Sequence, residues 1–226
     1  MRSTAGSAGW AQGAGQVTAE RIREAAILRY GRDGFSAGLR AVAADAGVTA
    51  GLVVHHFGSK EGLRRACDAY VLGVIRSEKL KATTGGPAAA IAQLAEVEEY
   101  APMALYALRS LQAGGELATE FLAQMCRDAE EYLEAGVESG LIRPSRDPAA
   151  RARYLAMQSM GSLLLWISLH PGFREVEEFR KELRQISDEI TLPALELFSE
   201  GLFVDRKMLD EYLMYVGDPP AGDAKR

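Results

Sequence analysis

Residues 34–63 read GFSAGLRAVAADAGVTAGLVVHHFGSKEGL, and the chemistry open to them is recognition of a polyanion rather than bond making. Thr49 is followed by Ala50 and Gly51, small residues that let the N-terminus of a helix come close to a nucleic-acid backbone. The unpaired N–H groups of such a terminus attract phosphate. Leu52, Val54, His55 and His56 continue the same segment, and Lys60 lies just beyond it, placed to meet a backbone phosphate. Arg40, on the segment before, is the nearest cation upstream. These nine residues form the candidate binding set. With Leu52, Val53 and Val54 consecutive and no Lys or Arg between Arg40 and Lys60, the set offers little arginine-to-guanine readout. Thymine-methyl contacts, His55 and duplex shape must supply more.

The elements that would hold this set follow from spacing. Leu39, Val42, Ala43 and Ala46 recur at three, one and three residues, which puts them on one face of a short helix. Gly47 follows at once and can take the left-handed conformation that ends the helix and turns the chain. Val48 plugs the angle, Thr49 caps the next helix, and that helix is expected over about Ala50 to His56, with Phe57 anchoring its far end. Ser36 is the expected cap ahead of the first helix. The motif therefore spans about 38–57 inside a headpiece of 17–64. A helical hairpin that merely packs is the plain alternative for such a pattern.

The stretch Ala46-Gly47-Val48-Thr49-Ala50-Gly51-Leu52-Val53-Val54-His55-His56-Phe57-Gly58-Ser59-Lys60-Glu61-Gly62-Leu63 resembles the N-terminal domain of tetracycline-repressor (TetR) family regulators, whose pattern is A-G-V-[ST]-x-G-x-[LIF]-Y-x-[HY]-F-x-[SN]-K-[ED]-x-L. The segment from Thr18 to Phe35 has the shape of that family's first helix, with Ile22, Ala25, Ala26 and Tyr30 inward. The likeness covers about residues 18–70. Two positions depart from it: Val54 stands where the family usually carries a tyrosine assigned to DNA contact, and Ser36-Ala37-Gly38 is a residue short of the usual loop and lacks its threonine cap.

Charge is distributed in keeping with a phosphate-binding headpiece. Residues 18–81 hold eleven Lys and Arg against seven Asp and Glu, whereas residues 82–226 hold fourteen against twenty-four. A basic end on an acidic body concentrates attraction to phosphate at one place. The 226 residues suit one small and one medium domain, with apolar content near half. Residues 1–16, MRSTAGSAGWAQGAGQ, have no periodicity and no apolar signal-peptide core, so a disordered arm is expected there, with Trp10 incidental. Cys67 and Cys126 are expected as reduced, buried thiols of a cytoplasmic protein.

Beyond the headpiece the chain reads as helix through residues 65–216, broken at Gly85-Gly86-Pro87, Gly114-Gly115, Arg143 to Pro148 and His170-Pro171-Gly172, with a flexible tail over 217–226. A joining helix of about Ser59 to Ala82 would carry motion from body to headpiece. Asp147 and Pro148 open a helix whose stretch Leu155 to Leu169 is apolar nearly all round, too short and interrupted to cross a bilayer, so burial on several sides is expected. The next helix, about Glu175 to Ile190, sets Phe179, Leu183, Ile186 and Ile190 at spacings of four and three, a seam for a partner helix. The resemblance implies that two such late helices pair with their copies across a two-fold axis, with Leu163 and Leu164 on the first. It also implies a ligand pocket in the body, for which Met103, Tyr106, Phe121, Met125, Met157, Met160 and Trp166 are candidate walls and Gln158 and Arg109 polar readers.

An enzyme is the competing class, and the residues argue against it. No Glu stands three residues before His55, His56 or His170, so Glu-x-x-His metal pairs are absent, and adjacent His55 and His56 diverge by about 100° on a helix. Glu130, Glu134 and Glu138 share a face but suit an exposed acidic stripe. No phosphate-cradling glycine loop or nucleophile elbow is present. The sequence therefore predicts an all-α, cytoplasmic chain without cofactor or metal, with an N-terminal three-helix headpiece and a helical effector-binding and dimerisation body. Its expected partners are an inverted-repeat operator duplex, a second copy and a small effector, with no membrane. The alternative is a ligand- or partner-binding protein whose headpiece has lost DNA readout.

Overall fold

The structure, a computed structural model, describes the backbone of residues 5–170 and 175–216, with side chains from residue 15 onward. Every regular element among the described residues is helical: α1 (Ala5–Asp33), α2 (Leu39–Asp45), α3 (Ala50–Phe57), α4 (Lys60–Thr84), α5 (Gly86–Ala95), α6 (Ala101–Gln112), α7 (Gly115–Glu138), α8 (Pro148–Leu169), α9 (Val176–Ser199) and α10 (Lys207–Val216), with a 3-10 turn at Val97–Tyr100. No helix among them is long and apolar enough to cross a membrane. The expected tail, 217–226, lies outside the described residues.

Among the described residues, one compact unit gathers those within 1–75, 99–124 and 172–179. In it α1 packs on α2, α3 and α6, and the core is built from Ile22, Ala26, Ile27, Tyr30, Val42, Ala43, Ala46, Val53, Leu63 and Cys67, all buried. Gly31 faces α6, where a Cβ would sit in ordinary contact with Leu105 Cγ at 3.4 Å. Arg109 secures the same crossing by donating from Nε to the Gly31 carbonyl at 3.1 Å, which occupies the side chain considered above as a ligand reader. Cys67 is fully buried, and burial pushes its thiol up to about 12, so it serves as core.

The second unit comprises the described residues within 76–98, 125–171 and 180–226. Asp147 caps α8 by accepting from the Ala150 N–H at 2.8 Å, with Pro148 in the first turn. Arg184 of α9 closes the end of α5, donating to the Leu94 carbonyl at 3.2 Å, to the Ala95 carbonyl at 2.6 Å and to Glu98 Oε1 at 2.8 Å. Ala129, Leu133 and Ala152 pack together with Tyr132, Ile142 and Leu155 against them. Glu130, Glu134 and Glu138 are exposed, as their stripe predicts.

Three expectations are corrected. The arm foreseen over residues 1–16 is instead helical from Ala5. Gly6, Gly9, Gly13 and Gly15 each disfavour helix by about 1 kcal/mol relative to alanine, so propensity does not account for the extension; it continues a helix already nucleated downstream, where each residue adds one hydrogen bond. Ser36 does not cap α2: Gly38 occupies the cap position without a side-chain bond, and the Ser36 hydroxyl donates instead to the Asp33 carbonyl at 3.4 Å. Nor is α8 covered on several sides within its unit. Ala152, Ala156, Leu163 and Ile167 are buried, while Tyr154, Met157, Leu165 and Leu169 line an exposed stripe. An apolar circumference predicts burial, yet a single chain supplies a partner for only one side of it.

Candidate nucleic-acid interface

The helix-turn-helix assembles as its spacing demands. Gly47 turns the chain with φ 63°, and a Cβ there would meet nothing within 4 Å, so the backbone conformation alone calls for glycine. The Thr49 hydroxyl accepts from the Leu52 N–H at 3.3 Å, capping α3. Val53 is wholly buried and pins α3 against the headpiece core. Thr49, Gly51, Val54 and His55 are exposed on the other side, Ala50, Leu52 and His56 half-buried, and Val54 is 45% exposed. Arg40 is exposed on α2 and Lys60, half-buried, is the first residue of α4. The nine candidate residues therefore lie on α2, α3 and the start of α4, with the small residues at the N-terminal turn of α3. The His55 and His56 rings sit edge to face, centroids 5.4 Å apart.

Two supports of this site escaped the sequence reading. The first is a charged latch from α1 to α2: Arg29 holds both Asp45, through two hydrogen bonds, and Asp33 at 2.8 Å. Arg32 and then Arg29 hydrogen-bond Asp33 and hold its carboxyl down at about 2. The second is the junction of α3 and α4. Ser59 caps α4 by accepting from the Gly62 N–H at 3.0 Å, and the two helices approach so closely that a Cβ on Gly62 would fall 2.1 Å from the Phe57 carbonyl oxygen. A glycine in the first turn of a helix, three residues after a serine, was the signal available for it.

Residues 22–67 match the family described as "Bacterial regulatory proteins, tetR family", and residues 98–204 match "Tetracyclin repressor-like, C-terminal domain". The HTH-type transcriptional regulatory protein RaaS of Mycobacterium tuberculosis (strain ATCC 25618 / H37Rv) is 50% identical over 194 residues, covering 85% of this chain and 90% of that protein. The chain belongs to the TetR family. Its fold is shared by a TetR-family transcriptional regulator from Pectobacterium atrosepticum, with TM-score 0.51 and 21% identity over 90% of this chain and 99% of the other. A SmeT–triclosan complex shares it with TM-score 0.50 and 20% identity over 77% and 91%. As a TetR-family transcriptional regulator the chain is a DNA-binding regulator and not an enzyme.

The residues assigned to the family's pocket divide between the two units. Met103, Tyr106 and Phe121 lie in the first, and Met125, Met157, Gln158, Met160 and Trp166 in the second. Tyr106 is fully buried and its hydroxyl donates to Asp68 Oδ1 at 2.7 Å, which makes it part of a satisfied polar core rather than a free wall. Phe121 and Met125 are buried, whereas Met103, Gln158, Met160 and Trp166 are half-buried. The Trp166 indole N–H donates to Glu182 Oε2 at 2.8 Å. Met157 is 58% exposed on the outer stripe of α8.

The partner seam also needs correction. Leu163, Phe179, Leu183 and Ile186 are buried within the single chain and cannot face a second copy, which leaves Leu164, half-buried, and Ile190, exposed. The spacing of four and three marks an inward face as readily as an intermolecular one, because both bury the same side of a helix. The exposed apolar residues lie elsewhere: Leu165 and Leu169 on α8, at 63% and 68%, and Leu192, Leu195 and Phe198 on the second half of α9.

Proposed function

We propose that this chain is a homodimeric, cytoplasmic repressor that reads an inverted-repeat operator with α3 and leaves it when a small apolar or amphipathic molecule occupies the helical body, residues 65–216. The observation that carries the reading is α3 itself, tied to the core by Val53 yet exposing Thr49, Gly51, Val54 and His55. Such an N-terminal turn suits entry into the major groove, with the N–H groups of the turn and Lys60 on flanking phosphates.

Dimer formation is supported by the uncovered apolar stripe of α8, Tyr154, Met157, Leu165 and Leu169, and by the bare end of α9. A line of exposed apolar side chains along one helix is what a second copy would cover. A two-fold dimer then presents two α3 helices to half-sites about 34 Å or a multiple apart. The triclosan bound in the SmeT complex supports a small apolar ligand for a body of this fold. Ligand favours a pose of α4 that takes the two α3 helices out of step with the groove, and the coupling is reciprocal: an effector that weakens operator binding binds operator-loaded protein more weakly.

Replacing Lys60 by Ala tests the placement of the interface. Affinity for every duplex should fall, and the slope of log affinity against log salt should drop by about one unit. A headpiece that no longer reads DNA, the alternative for a chain with Val54 in place of tyrosine, gives no slope to lower.

A further inference from the structure

The second unit ends in apolar surface that its own chain leaves open. Between Leu192 and Val216, thirteen large apolar side chains are exposed, and within α10 only Leu213 is even half-buried. Spacings of four and three put Met208, Tyr212 and Tyr215 on one side of α10, with Lys207 and Asp210 on the other. A helix of ten residues is marginal in water without a surface to pack on, since isolated helices need about 12–15. The same unit carries a second open surface, the α8 stripe of Tyr154, Met157, Leu165 and Leu169. Gly161 stands at its centre, exposed, and a Cβ there would meet nothing within 4 Å. Glycine inside a helix is costly relative to alanine, and no described neighbour in the chain requires it here. It leaves a notch between Met157 and Leu165 where a second helix can come close.

We propose that α10 is an exchanged arm: in the homodimer, Met208, Tyr212 and Tyr215 of each copy lie across the α8 stripe of the other, crossing it at Gly161. The arm does not serve its own α8, because both surfaces are exposed in the single chain. A second copy brings the matching pair, and a two-fold axis makes the contact twice. The area suffices: at about 100 Å² apiece, the thirteen side chains present more than the about 800 Å² that each partner contributes to a standard interface. A lipid surface is the poorer occupant. Residues 205–216 hold Asp205, Asp210 and Glu211 against Arg206 and Lys207, whereas helices that lie on membranes carry a basic polar face.

The inference rests on the homodimer proposed for this chain and adds the segment that closes it. Sedimentation equilibrium tests it on the full chain, on Tyr212→Asp/Tyr215→Asp, on Gly161→Leu, and on an equimolar mixture of the two variants. All three substituted positions are exposed in the single chain, so folding should tolerate the changes. The double variant should raise the dimer dissociation constant by at least about a hundredfold, the loss expected for two central aromatics. Gly161→Leu, which fills the notch while improving helix propensity, should raise it by at least about tenfold. In the mixed dimer one unaltered arm meets one unaltered stripe, and both changes fall in the other contact. The mixture should therefore associate at least about tenfold more tightly than either variant alone. An unaltered chain that stays monomeric removes the dimer and the arm together. A dimer that either variant leaves as tight, or a mixture no tighter than its components, overturns the arm while the dimer stands.

Discussion

At the scale of single residues, the headpiece depends on side chains whose reasons differ in kind. Gly47 is required by its backbone alone: with φ 63° and open space around its Cβ position, Gly47→Ala should cost about 1 kcal/mol through left-handed strain. Urea unfolding measures that loss, and an unchanged midpoint would remove the turn as drawn. Asp33 acts through charge. Its carboxyl is held at about 2 by Arg32 and Arg29, below the ordinary 3.8, so the ionised form stabilises the fold at neutral pH, and that contribution is lost as pH falls from about 4 toward 2. Asp33 is partly exposed, which limits the gain to about 0.5 kcal/mol. The melting temperatures of the unaltered protein and Asp33→Asn should therefore differ at neutral pH and converge in acid; a gap that stays constant would contradict the pairing of Asp33 with Arg29 and Arg32. Gly47 was legible in the sequence because a turn glycine announces itself locally, and the partners of Asp33 lie one and four residues back on α1, whereas the bond from Arg29 to Asp45 joins separate helices and needs the fold to reveal it.

At the scale of elements, the joint between α3 and α4 is the more demanding feature. Gly62→Ala would place a Cβ 2.1 Å from the Phe57 carbonyl oxygen, a clash with backbone that no rotamer relieves. We expect a loss of about 1–3 kcal/mol together with weaker duplex binding, because relief must move Lys60 relative to α3. Thermal unfolding and a binding titration check both, and a variant that matches Gly62 in each would show that the approach is not needed. Short-range signals carried the sequence reading at this scale: the Thr49 cap, the Asp147 cap and the glycine turn all rest on neighbours three or so residues away. The reading failed where an element's end depends on what precedes it in the fold, as with α1 reaching back to Ala5, or on competing caps, as with Ser36 and Gly38.

At the scale of the whole molecule, helical periodicity identifies a buried face but not what buries it. Phe179, Leu183 and Ile186 follow the spacing of a partner seam and pack inside their own chain, while Leu165 and Leu169, which belong to a continuous apolar run, stay exposed. The pocket candidates met the same limit, since Tyr106 and Met157 are both large side chains on helices yet one is core and the other surface. The acidic body and basic headpiece, by contrast, were plain from counting. Joint reading of DNA by two copies of α3 is put to the test by selection of bound duplexes from a random pool at near-physiological salt. It predicts an enriched inverted repeat whose half-sites lie about 34 Å or a multiple apart; retention without any enriched sequence, weak and lost on adding salt, would contradict it.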